Sequence, residues 1–295
     1  MKWSLARTLV LTAVACVAFV VPPPAGAAPP AAASPDDGVI RIALMHLAPR
    51  SGDPVSNLAL VGDAVRRASR RGADWCVSPE LAVSGYCFRP RLGLDWIGSA
   101  TARSARVRAL ASLAREAEVA LFAGMPRRDG DHLHNSVVVI DRAGDVLGAY
   151  DKHAVIPAYM EAWATPGDDT GVFTVDGVRV GILICADMWK AAGAIATAKA
   201  GAEIILAPAA WYPDPLGGPH GRWERDSRLS GLPLLVCNTT GRTRWSDDRR
   251  SASAVDDHGR RLFSFRSPGS RVFLVDWHRE TGGFSLAGSF RPVVP

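Results

Sequence analysis

An alternation of short apolar runs with helical stretches, laid down twice, limits what this chain can fold into more than any other feature. Val39 to Leu47, Ala73 to Ser78 and Val119 to Gly124 read as buried strands. Between the first two, Asp53 and Pro54 give an N-cap and first-turn signal. Leu58, Val61, Val65 and Ala68 then recur at helical spacing until Gly72. A second helix is predicted over Ala102 to Glu118. The pattern returns later: strands at Val178 to Cys185, Glu203 to Ala207 and Pro233 to Cys237, with helices at Ala191 to Ala200 and Arg222 to Ser230.

Hairpins interrupt this alternation. His134 to Asp141 and Val146 to Tyr150 flank an Ala143-Gly144-Asp145 turn. Ser251 to Asp256 and Arg260 to Phe265 flank Asp257-His258-Gly259, and Arg271 to Val275 follows. Two similar halves of this kind predict an α/β fold of two mixed sheets with helices on their outer faces. Stacked face to face, the sheets would place residues 39–295 in one domain, with neither an internal repeat nor a low-complexity linker to divide it.

The first residues are set apart. Lys2 and Arg7 precede an apolar run from Leu9 to Val21, a Pro-rich stretch and Ala25-Gly26-Ala27. The run is short for a bilayer span and its flanks fit a cleaved signal peptide, residues 1–27. Residues 28–38 form a Pro/Ala-rich lead expected to be disordered. The chain is therefore expected to be secreted, with no stable membrane span. Its formal charge of +5, or +3 without Lys2 and Arg7, is spread thinly. Arg66, Arg67, Arg70 and Arg71 lie on the polar side of a predicted helix, so no nucleic-acid partner is expected.

Without Cys16, four cysteines remain: Cys76, Cys87, Cys185 and Cys237. Cys76 and Cys87 could pair, but sequence leaves that open. Cys185 and Cys237 each close an apolar strand. His132 and His134 form the one close histidine pair, with no nearby third ligand for zinc.

Three strand ends carry reactive side chains: Glu80 after Ala73 to Pro79, Lys152 after Tyr150, and Cys185 after Gly181 to Ile184. Strand ends in α/β sheets line ligand crevices. A thiol, a carboxylate and an amine together suit nucleophilic acyl chemistry. Each has a plainer reading, since a strand-end Cys is more often a small core residue and a Lys after a hairpin is usually solvated.

The blocks around these residues resemble the nitrilase superfamily of carbon–nitrogen hydrolases. Ser78-Pro79-Glu80-Leu81 with Ser84-Gly85-Tyr86 is similar to its glutamate block, and Tyr150-Asp151-Lys152-His153 to its lysine block. Gly181-Ile182-Leu183-Ile184-Cys185-Ala186-Asp187 resembles the nucleophile block, continued by Gly201 to Pro208. Gly231-Leu232-Pro233 to Asn238-Thr239-Thr240-Gly241 resembles a later strand and its turn. The likeness runs in order from Val39 to Val275.

The resemblance implies an α-β-β-α sandwich and a Glu80–Lys152–Cys185 triad that cleaves a non-peptide carbon–nitrogen bond through a thioester. Glu80 would move protons, and Lys152 with a backbone N–H after Cys185 would hold the oxyanion. The opposite charges of Glu80 and Lys152 would help the site hold a thiolate. Glu161, in Tyr159-Met160-Glu161 and offset by about one residue, would orient Lys152. Ala186, Asp187 and Trp211 are supporting, substrate-binding candidates. No metal or organic cofactor has a task in this scheme. A homodimer or larger homo-oligomer is implied by resemblance alone.

Cys185-Ala186-Asp187 departs from the Cys-Trp-Glu of true nitrilases and favours amide or N-carbamoyl substrates. Asp187-Met188-Trp189 is similar to the N-carbamoylputrescine amidohydrolase-like branch. Lys190-Ala191-Ala192 stands where the family usually has Pro-Glu, which alters the start of the next helix and the pocket wall. The competing reading is a catalytically silent or acyl-transferring member of the fold that binds a ligand or partner. A cysteine peptidase would need a Cys–His pair and a motif that Cys185 lacks.

Overall fold

A computed structural model describes residues 38–101, 103–211, 221–241 and 251–293. The predicted signal peptide and nearly all of the Pro/Ala-rich lead lie outside the described residues. Among those that are described, no helix is long and apolar enough to cross a membrane.

Two sheets carry the architecture. In the first, β1 (Val39–His46), β2 (Trp75–Val77) and β3 (Ala120–Asp129) run parallel, and β4 (His132–Ile140) and β5 (Val146–Asp151) extend it antiparallel. In the second, β6 (Val172–Val175) lies antiparallel to β7 (Val178–Ile182). The strands β7, β8 (Ile204–Ala209) and β9 (Leu234–Asn238) are parallel, and β10 (Ser251–Val255) and β11 (Arg261–Arg266) close the far edge. The chain then returns to the first sheet: β12 (Arg271–His278) pairs antiparallel with β1, and β13 (Gly283–Phe290) with β12. Strand orders are β13-β12-β1-β2-β3-β4-β5 and β11-β10-β9-β8-β7-β6.

Period-two alternation decides which side chains meet between the sheets. Ile40, Ile42 and Leu44 of β1 point inward with Trp75, Val77 and Phe122, against Val180, Ile182, Leu206 and Leu235 of the second sheet. Ala43 and Met45 point outward to α1 (Pro54–Ser69), and Cys76 and Leu121 meet α3 (Ala105–Ala117) on the same side. On the opposite face α4 (Ala192–Lys199) packs on β7, and α5 (Arg222–Ser230) on β10. This is the α-β-β-α arrangement expected from the sequence.

Several element boundaries shift for local reasons. Asp53 caps α1 through its carboxylate and the Ser56 N–H, as its sequence implies. The strand predicted to reach Cys185 stops at Ile182, because Cys185 adopts φ 48° and cannot extend a pleat. The strands β6 and β13 and the four-residue helix α2 (Arg89–Leu92) were not expected. Edge β13 is exposed or half-buried at every position except Phe290, so it shows no alternating apolar row. The changed Lys190-Ala191-Ala192 segment leaves α4 without a side-chain cap. Cys76, Cys185 and Cys237 are buried thiols, and no disulfide joins Cys76 to Cys87.

Candidate active site

The three predicted residues converge where the ends of β2, β5 and β7 meet. Glu80 follows β2 in a turn pressed against β3. Gly124 makes this possible: a Cβ there would lie 2.1 Å from the Pro79 carbonyl oxygen. The Gly124 N–H donates to Ser78 Oγ at 2.8 Å, and Ser78 N–H donates to the Phe122 carbonyl at 3.0 Å. The Glu80 carboxyl group is thereby aimed along the sheet interface rather than into solvent, and the residue is 2% exposed.

Lys152 follows β5 and is fully buried. A buried ammonium must be paired and hydrogen-bonded to persist. Its Nζ donates to Glu80 Oε1 at 2.8 Å and to Glu161 Oε1 at 2.7 Å. Glu161 ends a single wide helical turn, Pro157–Glu161, and its Oε2 accepts the Ile156 N–H at 2.9 Å. Two groups not singled out from sequence complete the cluster. Asn135 Nδ2 donates to Glu80 Oε1 at 2.7 Å and to Glu161 Oε1 at 2.9 Å. The Tyr86 phenol, within the glutamate block, hydrogen-bonds Glu161. The signal for Asn135 lies in its register: it alternates into the inward row with Leu133, Val137 and Val139, and a buried amide there needs polar partners.

Cys185 opens a one-turn 3-10 helix, Cys185–Trp189, in the left-handed region that a non-glycine residue rarely occupies. Asp187 holds this elbow. Its Oδ2 accepts from Ile184 N–H at 2.9 Å and Tyr150 O–H at 2.8 Å. Its Oδ1 accepts from His153 N–H at 3.0 Å and Ala154 N–H at 2.7 Å. One carboxylate therefore ties the nucleophile turn to the loop that carries Lys152. Asp187 was a supporting or substrate-binding candidate; both of its oxygens accept from the protein, which favours the supporting part.

Ala186 is buried directly behind Cys185. Trp211 is half-buried, with its backbone pinned at both ends by Asn238: N–H to Oδ1 at 2.8 Å and carbonyl from Nδ2 at 3.1 Å. Its ring meets Trp189 and Trp223 edge-on, at centroid distances of 6.3 and 6.2 Å. The preceding Ala210 N–H donates to Glu80 Oε2 at 2.8 Å and also hydrogen-bonds the Cys185 sulfur. That shared donor brings carboxylate and thiol to one point.

Burial pushes the Glu80 carboxyl up to about 7, with Lys152 pulling it down and Glu161 adding to the rise. Burial opposes ionisation of Glu161 too, but Lys152 and the hydrogen bonds outweigh it and the group stays below its ordinary value. Burial also works against the Lys152 ammonium, yet the charges around it win and hold it protonated. The Cys185 thiol is raised well above its ordinary value, by burial first and by Glu80 next, which Lys152 offsets only in part. The resting group is thus a neutral thiol beside a carboxylate poised near neutrality. This differs from the thiolate that the Glu–Lys charge pair suggested, because burial and the Glu80 charge outweigh the single ammonium.

Among the described residues, the compact grouping of metal-type side chains is Asp256–Asp257–His258, in the β10–β11 turn. Its Asp256 oxygens already accept from His258 N–H, Arg260 N–H and Arg260 Nε. His134 Nδ1 lies 2.9 Å from the Thr165 carbonyl, an ordinary loop contact.

Comparison with known proteins identifies the family. A family model described as carbon-nitrogen hydrolase matches residues 41–264. A nitrilase from Pyrococcus abyssi is 31% identical over 173 residues, covering 58% of this chain and 65% of that protein, just under two thirds of its length. A citrullinase from Francisella tularensis is 30% identical over 241 residues, covering 74% of this chain and 82% of that protein. Among solved structures, a mutant of the amidase from Nesterenkonia sp. AN1 aligns with TM-score 0.72 and 26% identity, over 82% of this chain and 92% of that one. That structure shows the acetamide moiety of fluoroacetamide added covalently at the active-site cysteine. The chain belongs to the carbon-nitrogen hydrolase family, within the nitrilase superfamily.

Proposed function

We propose that this protein hydrolyses a non-peptide carbon–nitrogen bond in a small amide or N-carbamoyl compound, with Cys185 as nucleophile. The observation that carries this reading is a buried Lys152 amine shared by Glu80 and Glu161 beside a Cys185 held at φ 48°. Glu80 takes the Sγ proton as sulfur attacks the carbonyl carbon. The developing oxyanion is met by the Lys152 ammonium and the Ala186 N–H, in a site dry enough to make such donors effective. Glu80 returns the proton to the leaving nitrogen as the carbon–nitrogen bond breaks, leaving a thioester on Cys185. Water then attacks, Glu80 accepts its proton and passes it to sulfur, and the acid departs with the thiol restored.

Amides and carbamoyl compounds rank ahead of nitriles, because Ala186-Asp187 replaces the Trp-Glu of nitrilases and because an amidase and a citrullinase are among the relatives. Trp211 and Trp189 are proposed as an aromatic wall for the substrate. Export through residues 1–27 and pairing into a homodimer belong to the same proposal, and are read by N-terminal sequencing of secreted protein and by sedimentation.

The test is ammonia release from a panel of primary amides, N-carbamoyl amines and nitriles, by the wild type and by Cys185→Ala. Turnover of amides or carbamoyl compounds that disappears in the variant supports the reading. Silence of both proteins across the panel contradicts it and favours an acyltransferase or a binder.

A further inference from the structure

The catalytic carboxylates meet at a residue that belongs to neither the triad nor the Glu161 turn. Asn135 lies on β4, on the same pleat face as Val137 and Val139, which point into the core between the sheets. The inward row of β4, Leu133, Asn135, Val137 and Val139, is thus apolar except for one amide, and that amide is 1% exposed. Its partner across the ladder is Pro126, which has no N–H to give. The Asn135 carbonyl accepts instead from the Lys152 N–H, at 2.8 Å. Its Nδ2 donates to Glu80 Oε1 and Glu161 Oε1, the two oxygens that also receive the Lys152 ammonium. One residue thus holds the backbone of Lys152 and both acids that bracket its side chain.

The cost of this arrangement is visible. Asn135 Oδ1 is buried with no hydrogen-bond partner among the described residues. Turning the amide over would set a carbonyl oxygen against two carboxylate oxygens, so the N–H face is fixed where it is. A buried strand that needed only packing would carry Val or Leu here, as the next inward positions do.

We infer that Asn135 is a positioning residue that keeps Glu80 ionised and in register with Cys185 and Lys152, and so sets the acid limb of Cys185 reactivity. The inference rests on the reading of Glu80 as the proton acceptor. The charged and titratable groups facing Glu80 are the Lys152 ammonium, the Glu161 carboxylate, the Tyr86 phenol and the Cys185 thiol. The Ala210 N–H faces its second oxygen. Among the described residues, the Lys152 ammonium and the Asn135 and Ala210 N–H groups favour the ionised form, whereas burial and Glu161 disfavour it. Removing the amide takes away one of three stabilising partners, and the Glu80 carboxyl must titrate higher.

The experiment reads Cys185 itself and needs no turnover. The rate of alkylation by iodoacetamide is followed from pH 5 to 9 by peptide mass mapping at Cys185, in wild type, Asn135→Ala, Asn135→Ser and Glu80→Gln. Serine keeps a polar group in the strand while breaking the bridge, so it serves if the alanine variant folds poorly. The wild-type acid limb is expected near neutrality, and in the Asn135 variants it moves up by about one pH unit, roughly tenfold in rate at pH 6. At pH 9 the rate stays within about threefold of wild type, and Glu80→Gln loses the limb.

An unmoved limb, an equal loss at every pH, a limb that survives in Glu80→Gln, or failure of both Asn135 variants to fold would each overturn the assignment. If wild type turns over no amide yet its labelling limb moves as stated, the hydrolase reading falls and this inference stands. If Cys185-dependent turnover is found and the limb stays fixed, the reverse holds.

Discussion

Cys185 and Cys237 look alike in sequence, each a thiol closing an apolar strand, yet the ends of β7 and β9 treat them in opposite ways. Cys237 stays in the ladder: it pairs with Pro208 across β8, and its Sγ donates to the Val77 carbonyl at 3.1 Å. Burial raises its thiol and only the Met45 backbone works the other way, with no ionised side chain involved. Cys185 has left its strand three residues earlier and turned to φ 48°, with Glu80, Lys152 and Glu161 within electrostatic reach. Burial alone makes a thiol inert. We propose that backbone release beside paired charges is what gives Cys185, and not Cys237, a reaction.

This contrast can be broken by substitution. The largest effect is expected from Cys185→Ala, which should lower kcat on any accepted amide by roughly 10⁴–10⁶-fold while leaving the fold intact, as steady-state kinetics and circular dichroism would read. Next comes Lys152→Met, which removes the proposed oxyanion partner and leaves two acids facing each other. A loss of about 10²–10³-fold in kcat is expected, and the acid limb of any residual activity should move to higher pH as Glu80 loses the charge that lowers its pKa. In the wild type that limb belongs near pH 7, with kcat/KM falling about tenfold per unit below it, since the base must be ionised to work.

Asp187→Asn sharpens the comparison at the elbow. Two of its oxygens accept four donors, so an NH₂ in place of either oxygen must face an N–H or O–H. About 1–3 kcal/mol of stability should be lost by thermal melting, with a fall in kcat of about tenfold or more from a misplaced nucleophile. The smallest effect is expected from Cys237→Ala: about 1–2 kcal/mol of stability for the lost buried sulfur, and kcat unchanged within about twofold.

Much of this is legible in the sequence. The inward rows of β1 and β7, the Asp53-Pro54 start of α1 and the span Arg222 to Ser230 of α5 all follow from periodicity and caps. Glu80, Lys152 and Cys185 are legible because each follows a run of mostly apolar residues that ends in a polar or reactive side chain. What could not be read is what depends on distant segments meeting. Asn135 and Glu80 are 55 residues apart, and Asp187 reaches 37 residues back to Tyr150. Neither partner shows a local pattern that names the other. The left-handed turn at Cys185 was hidden because Leu183 and Ile184 continue the apolar run past the last ladder residue. The strand β13 was hidden for the opposite reason, as its exposed edge leaves no apolar row to detect.

The most direct test of the account is where acyl groups land. A primary amide incubated with wild-type protein, quenched in acid within the first turnovers and mapped by peptide mass, should yield an acyl thioester on the Cys185 peptide. The Cys76, Cys87 and Cys237 peptides should carry none, and hydroxylamine should remove the adduct. Acylation of another cysteine, or amide turnover that persists in Cys185→Ala, would contradict the assignment of Cys185 as the nucleophile.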